Sequence, residues 1–379
     1  MKNIFHLLLV GSLLISCKKE PELLIDSHQC NPVTVVANNH TEEEALQDLL
    51  NDYVANGIPG VAVVVDSKTK GFFLGVAGMT DIAAKVPMTS CHTFRVASLT
   101  KTFMGAAFMQ LLETGAINLD DQISAILDDE ILADLDKSDE TTIAELLNHT
   151  SGIPNYDDNS RFVASVLNEP GKVLTVEDRL NFARELRGTP DWVIEKYEQI
   201  YSNTNYLLLQ LILEKVTGKP YETYLSENIT VPLGLRKTTF STINTFPNGL
   251  SSGYCDMYDN GKLRDVNLFD ANRWSGEASA ISNAMDIYTF FNALITGQLI
   301  DPSAFENMKN NKYGLLIEEF DGIQAVGHDG QGIGYSSEMW YFPEKALTIT
   351  LIANKGRIDD DQPSIQDFVA LFLGVLSLH

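Results

Sequence analysis

Thr93-Phe94-Arg95-Val96-Ala97-Ser98-Leu99-Thr100-Lys101-Thr102-Phe103 sets a Ser and a Lys three residues apart where an apolar helical pattern begins. In a helix that spacing is almost one turn, so the amine is brought beside the hydroxyl. A Ser hydroxyl is a weak nucleophile until a neighbour takes its proton, and a desolvated Lys can do so. The pattern alone decides little, because Ser16 with Lys19 and Ser67 with Lys70 also satisfy it. Context selects Ser98: the first of those pairs lies in an apolar leader and the second at the tip of a hairpin. Only Ser98 precedes a helical stripe, formed by Phe103, Ala107, Phe108, Leu111 and Leu112. A helix start also aims free N–H groups at a developing oxyanion. The competing role for such a Ser is a plain N-cap.

Working outward, residues 43–54 place Leu46, Leu49, Leu50 and Tyr53 at helical spacing. Residues 60–65 and 71–78 read as two strands of a hairpin, and residues 335–342 and 346–353 as a second one. An amphipathic stretch over 365–376 closes the chain, and helices are expected at 102–113, 141–147, 176–186, 205–216 and 287–295. Strands at both ends with helices between predict an α/β sandwich, a central antiparallel sheet flanked by helices, with an inserted all-helical domain. The α/β part comprises 41–115 and 274–379, the insertion comprises 116–273, and a cleft between them is the expected ligand site.

The chain carries 27 basic and 51 acidic side chains, a formal charge of −24, so its field repels polyanions and excludes nucleic acid as a partner. Lys2, an apolar run over 7–15, Ser16 and Cys17 read as a secretion signal over residues 1–16 with Cys17 as a lipidated N-terminus. A tether over 17–40 would then join a lipid anchor to a catalytic body in the cell envelope, facing the periplasm or exterior, and a monomer is expected. Cys30, Cys91 and Cys255 allow one disulfide at most and are expected mainly to be buried.

Two competing chemistries fail on context. Gly249-Leu250-Ser251-Ser252-Gly253 fits G-x-S-x-G, but a nucleophile elbow needs a strand before the Ser and a helix after it, and the flanking sequence reads as neither. None of the seven histidines falls in H-x-H or H-E-x-x-H, so neither a metal nor another cofactor is expected.

The Ser98 segment is followed by Leu119-Asp120-Asp121, Leu146-Leu147-Asn148-His149-Thr150-Ser151-Gly152-Ile153-Pro154, Tyr201-Ser202-Asn203 and Gly327-His328-Asp329-Gly330. In content and order these resemble the class C β-lactamase and DD-peptidase (penicillin-binding) family of serine hydrolases. The resemblance implies a β-lactamase/transpeptidase-like fold, with Ser98 as nucleophile and Lys101 and Tyr201 sharing its proton. It implies that Asn203 holds a substrate carbonyl or orients Lys101 and that His328 contributes electrostatically. The N–H groups of Ser98 and of Gln331, after Gly330, would form the oxyanion hole, and the His149 segment would shape the cleft. Asp329 departs from the family, which typically has Thr there to hold a substrate carboxylate. Two carboxylates about 4 Å apart repel by about 1 kcal/mol in water and about 4 kcal/mol at an effective dielectric of 20. The expected substrate is therefore a small molecule or peptide with an amide or ester group. A D-alanyl-D-alanine carboxypeptidase-like peptidase and an esterase or amidase come first and a class C-like β-lactamase behind them. A non-catalytic penicillin-binding sensor is the alternative from another class.

Overall fold

The structure is a computed structural model that describes residues 38–188, 199–240, 247–270, 275–357 and 366–376. The expected secretion signal, Cys17 and nearly all of the expected tether lie outside the described residues.

Two hairpins meet to make the sheet. Strands β1 (Gly60–Ser67) and β2 (Gly71–Asp81) pair antiparallel, with the short β3 (Val86–Pro87) beyond β2. From the other end of the chain come β4 (Leu316–Phe320), β5 (Ile323–Gln331), β6 (Ser336–Phe342) and β7 (Leu347–Ala353). The seven strands run in the order β3-β2-β1-β7-β6-β5-β4, so the two ends of the chain join at the centre, where Val61 faces Ala353 and Ser67 faces Leu347. The two terminal hairpins were expected in one sheet; β4 and the start of β5, rich in Glu and Gln, carried no strand signal.

Side chains alternate across β1, so Val61, Val63 and Val65 enter one core and Ala62 and Val64 the other. The first core is capped by helix α1 (Glu43–Ala55) and the C-terminal helix Gln366–Val375, where the Tyr53 hydroxyl donates to the Phe368 carbonyl at 3.1 Å. The second core holds α2 (Thr100–Glu113), whose residues from Thr100 to Met109 are all buried. The apolar stripe read from the sequence widens there to the whole circumference, as it must for a helix enclosed between a sheet and other helices. On its far side pack α3 (Ile143–Leu147), α4 (Val176–Glu185) and α5 (Asn203–Thr217) of the insertion. Capping boxes of Thr142 with Glu145 and Thr175 with Asp178 start α3 and α4, each satisfying two otherwise orphaned backbone donors.

The insertion is mostly helical but not all-helical: two-residue strands lie at Thr239–Phe240, Tyr254–Cys255 and Arg264–Asp265. Thr239–Phe240 pairs with Ala280–Ser282, which also pairs with Phe94–Arg95 just ahead of Ser98. Cys91 is buried and disulfide-bonded, and Cys255 carries a buried thiol. Among the described residues no helix is long and apolar enough to cross a membrane, and no cluster of His, Cys, Asp or Glu could hold a metal.

Candidate active site

Ser98 sits in a single 3-10 turn, Ala97–Leu99, that leads into α2. Ala97 is held at φ 45°, a left-handed conformation that costs a non-glycine residue about 1–3 kcal/mol and recurs at functional sites. The Ser98 side chain makes no capping bond, which removes the N-cap role. Its Oγ instead accepts from Lys101 Nζ at 3.0 Å and from the Tyr201 hydroxyl at 2.8 Å.

Lys101 is fully buried and its Nζ also donates to the backbone carbonyl of Glu277 at 2.8 Å. Burial pulls its pKa down to about 7, with the carboxylates of Glu277, Asp157 and Asp329 limiting the fall. Near neutral pH a large share of Lys101 is therefore a free amine able to accept the Ser98 proton. Tyr201 moves the other way: burial of its hydroxyl end raises it well above the usual phenol value, while its bond to Ser98 acts against the rise. The residue is 37% exposed, so water moderates the shift, yet Tyr201 remains a neutral phenol and a donor. Lys101 Nζ lies 4.9 Å from the Tyr201 ring centroid, which favours the ammonium formed once the proton arrives.

The segment carrying Tyr201 is fixed from the His149 loop. His149 takes φ 61°, its carbonyl accepts from Ile200 N–H at 3.0 Å, and its Nδ1 accepts from Ser202 N–H at 3.1 Å. The imidazole stacks on Tyr201 with centroids 4.3 Å apart, and burial holds it neutral, well below the usual histidine value. His149 thus orients Tyr201 without touching Ser98, a more specific role than shaping the cleft. Ser151 is turned away and donates to Asn205 Oδ1 at 2.8 Å, so no Ser-His dyad forms.

Strand β5 brings His328, Asp329, Gly330 and Gln331 to the Ser98 turn. A Cβ on Gly330 would meet Val96 O at 2.4 Å and Ser337 Oγ at 2.3 Å, so only glycine lets the strand lie against the backbone just ahead of the nucleophile. His328 was read as an electrostatic contributor and the structure makes it a neutral one. Burial lowers it to about 4, and the proximity of Asp329 does not restore the charge. A carbonyl oxygen only accepts, so the 2.6 Å contact of His328 Nδ1 with Asp329 O places the proton on Nδ1 and leaves Nε2 as an acceptor. Asp329 is part of the field of the site, since it acts on Lys101, Tyr201 and His328.

Asn203 opens α5, and its Nδ2 donates to Asp157 Oδ2 at 2.5 Å. A carboxylate only accepts, so this contact fixes the amide orientation and uses one of the two N–H donors of Nδ2. The remaining Oδ1 is buried without a hydrogen-bond partner among the described residues. Asn203 therefore offers an acceptor, suited to an N–H or an ammonium.

Sequence reasoning missed Glu277, Arg179 and Tyr156, which meet behind Lys101. Nothing in their local sequence marks them, because they meet only through the tertiary fold. The rejected motifs stay rejected. Ser251 is buried, its Oγ accepts from Thr80 at 2.8 Å, and Tyr254–Cys255, a strand, follows it in place of a helix. Tyr258 and Asn260 repeat the spacing of Tyr201 and Asn203, but Tyr258 is 66% exposed in a surface turn. The cavity of about 270 Å³ lined by Leu74, Cys91, Leu233, Arg236, Met285 and Asp286 contains none of the residues that touch Ser98.

A Ser-x-x-Lys turn at the head of a buried helix, facing a His-x-Gly strand of a central antiparallel sheet, defines the serine hydrolases of β-lactamase/transpeptidase fold. The chain belongs to the Beta-lactamase family, whose model matches residues 46–373. It is similar to Protein flp of Staphylococcus aureus (strain MW2), 30% identical over 206 residues, which are 54% of this chain and 40% of that protein. Penicillin-binding protein 4* of Bacillus subtilis (strain 168) is 26% identical over 305 residues, covering 73% of this chain and 64% of the relative. The chain thus spans about two fifths to two thirds of the length of these curated relatives. Among solved structures, D-amino acid amidase from Ochrobactrum anthropi SV3 in complex with L-phenylalanine amide superposes with TM-score 0.77 at 28% identity, covering 89% of this chain and 98% of that one.

Proposed function

We propose that the protein is an acyl-enzyme amidase or peptidase acting on small amides that carry an amine, rather than a carboxylate, near the scissile bond. The observation that carries the chemistry is the double contact of Ser98 Oγ with Lys101 Nζ and the Tyr201 hydroxyl. Neutral Lys101 takes the Ser98 proton as Oγ bonds to the carbonyl carbon, and the N–H groups of Ser98 and Gln331 receive the oxyanion. The C–N bond then breaks as Tyr201 delivers a proton to the leaving nitrogen and is reprotonated from Lys101. Water, activated by the same pair, releases the acyl group.

The substrate reading rests on charge. Asp329 and Asp157 act on Lys101, His328 is neutral, and Asn203 presents an acceptor, so the site suits an ammonium better than an anion. Likeness over nearly the whole length of a D-amino acid amidase supports the amide class. A second reading, the D-alanyl-D-alanine carboxypeptidase type, has one observation in its favour. The backbone N–H of Arg357 donates to Gly332 O at 3.4 Å, which brings the residue to the same end of β5, and its charge acts on Glu338 there, so its guanidinium would be the carboxylate partner. On either reading the chain works in the cell envelope, held by a lipid on Cys17.

The test compares D-phenylalanine amide, its N-acetyl derivative and a D-Ala-D-Ala peptide, with intact mass followed in parallel. The free amine is expected to be turned over best, and Asp329→Asn to shrink its advantage over the N-acetyl form several-fold. Turnover unchanged in Ser98→Ala removes the nucleophile. A preference for D-Ala-D-Ala selects the second reading, and a stable adduct without turnover makes the protein a sensor.

A further inference from the structure

Behind Lys101 lies a buried ionic cluster that no step above uses. Glu277 Oε1 accepts from Arg179 NH1 at 2.8 Å and from the Tyr156 hydroxyl at 2.9 Å, and Arg179 NH2 donates to Ser275 Oγ at 2.5 Å. Glu277 and Tyr156 are fully buried and Arg179 nearly so. Arg179 comes from α4 and Tyr156 from the turn Tyr156–Asp158, both in the insertion, whereas Glu277 just precedes strand Ala280–Ser282 of the α/β part. The same Glu277 presents its backbone carbonyl to Lys101 Nζ. Its Oε2 is buried without a hydrogen-bond partner among the described residues, so the carboxylate is only partly compensated.

We propose that the Arg179–Glu277 pair is a positioning device for Lys101, fixing the carbonyl that holds its amine and setting, by its balance of charge, how readily that amine is protonated. A buried ion pair is a costly way to stabilise a fold, and an apolar pair of equal volume commonly serves as well or better. Its place against the amine supplies a role that packing alone does not. The other charged or titratable groups acting on or facing Lys101 are Asp157 in the turn beside Tyr156, and Asp329 and His328 on β5. His149 after α3, and Tyr201 and Tyr206 before and on α5, complete the surroundings. None of these is altered by the substitutions below.

The inference rests on Lys101 acting as the base, and the experiment separates the two claims. Release of p-nitrophenol from p-nitrophenyl acetate is followed against pH, with kcat/KM read at each point. The wild-type acid limb is expected near pH 7, because protonated Lys101 cannot accept the Ser98 proton. Glu277→Gln keeps the backbone carbonyl, removes the negative charge and should move the limb down by about one unit. Arg179→Gln leaves the carboxylate uncompensated and should move the limb up by a similar amount. The double variant, neutral throughout, should fall between them. Opposite shifts in folded proteins are not the signature of a structural lesion, which lowers the rate at every pH. If one single variant does not fold, the other and the double decide. A wild-type limb near 7 that no variant moves overturns this proposal alone, as do single variants that shift the same way. A wild type without such a limb removes Lys101 as the base and overturns both.

Discussion

Replacing Tyr201 by Phe deletes one oxygen from the active site and little else. The ring keeps its stacking on His149 at 4.3 Å and its place 4.9 Å from Lys101 Nζ, so the cleft should retain its shape. Only the 2.8 Å hydrogen bond to Ser98 Oγ is lost, about 0.5–1.5 kcal/mol of stability at most. The catalytic loss is larger, because a positioned acid–base group contributes about 10²- to 10⁴-fold. It should fall on kcat, since the hydroxyl acts on the moving proton and not on substrate binding. Two substrates locate the step. p-Nitrophenolate leaves without a proton, whereas an amide nitrogen must be protonated to leave. If Tyr201 is the leaving-group acid, turnover of D-phenylalanine amide should drop at least tenfold further than that of p-nitrophenyl acetate. The assay is steady-state kinetics on both substrates, with circular dichroism to confirm folding. Amide turnover within tenfold of wild type would refute the assignment, and equal losses on both substrates would refute the leaving-group role.

Two further outcomes follow from packing and burial. Gly330→Ala should lower kcat/KM at least tenfold on every substrate and reduce Tm by a few degrees, because the added Cβ meets Val96 O at 2.4 Å and must displace the Ser98 turn; unchanged kinetics would show that β5 does not buttress the nucleophile. Glu338, fully buried opposite Asp329 on β6, is held well above the usual carboxyl range, by burial first and by Asp329 next. Its folded value exceeds its unfolded one, so its contribution to stability is present below pH about 4.5 and declines as pH rises toward the folded value. Glu338→Gln, which can still accept from Trp340 Nε1, should therefore raise Tm more at pH 8 than at pH 5, and a uniform or opposite change would contradict this.

The side chains that gather around Ser98 were legible because each stands in a short motif. Ser98 and Lys101 are one helical turn apart, and Gly330 must be glycine where β5 meets the Val96 carbonyl. Their charge states were not legible. Whether His328 is a cation or a neutral acceptor depends on burial, which spacing does not encode. Asn203 shows the same limit: its type suggested a grip on a carbonyl, and only the fold reveals that Asp157 takes one of its N–H groups and turns Oδ1 into a buried, unpaired acceptor. The positioning shell is the least legible part. His149, Arg179 and Glu277 act through stacking, a left-handed backbone and an ion pair across the fold, none of which leaves a periodic trace. For the fold, apolar alternation disclosed β1, β2, β6 and β7, while Glu318, Glu319 and Gln324 concealed the edge strand β4 and the start of β5.

The sheet is closed at its middle by a partnership between the opposite ends of the chain, Val61 with Ala353. A polypeptide emerging from the ribosome therefore holds Ser98 and Lys101 early but lacks the strand bearing Gly330 and Gln331 until most of the chain has been made. Such a nascent chain would have the proposed nucleophile without the Gln331 N–H proposed for the oxyanion hole. On the proposed function, acyl transfer would appear late and all at once, when the last hairpin docks, making turnover itself a reporter of completed folding.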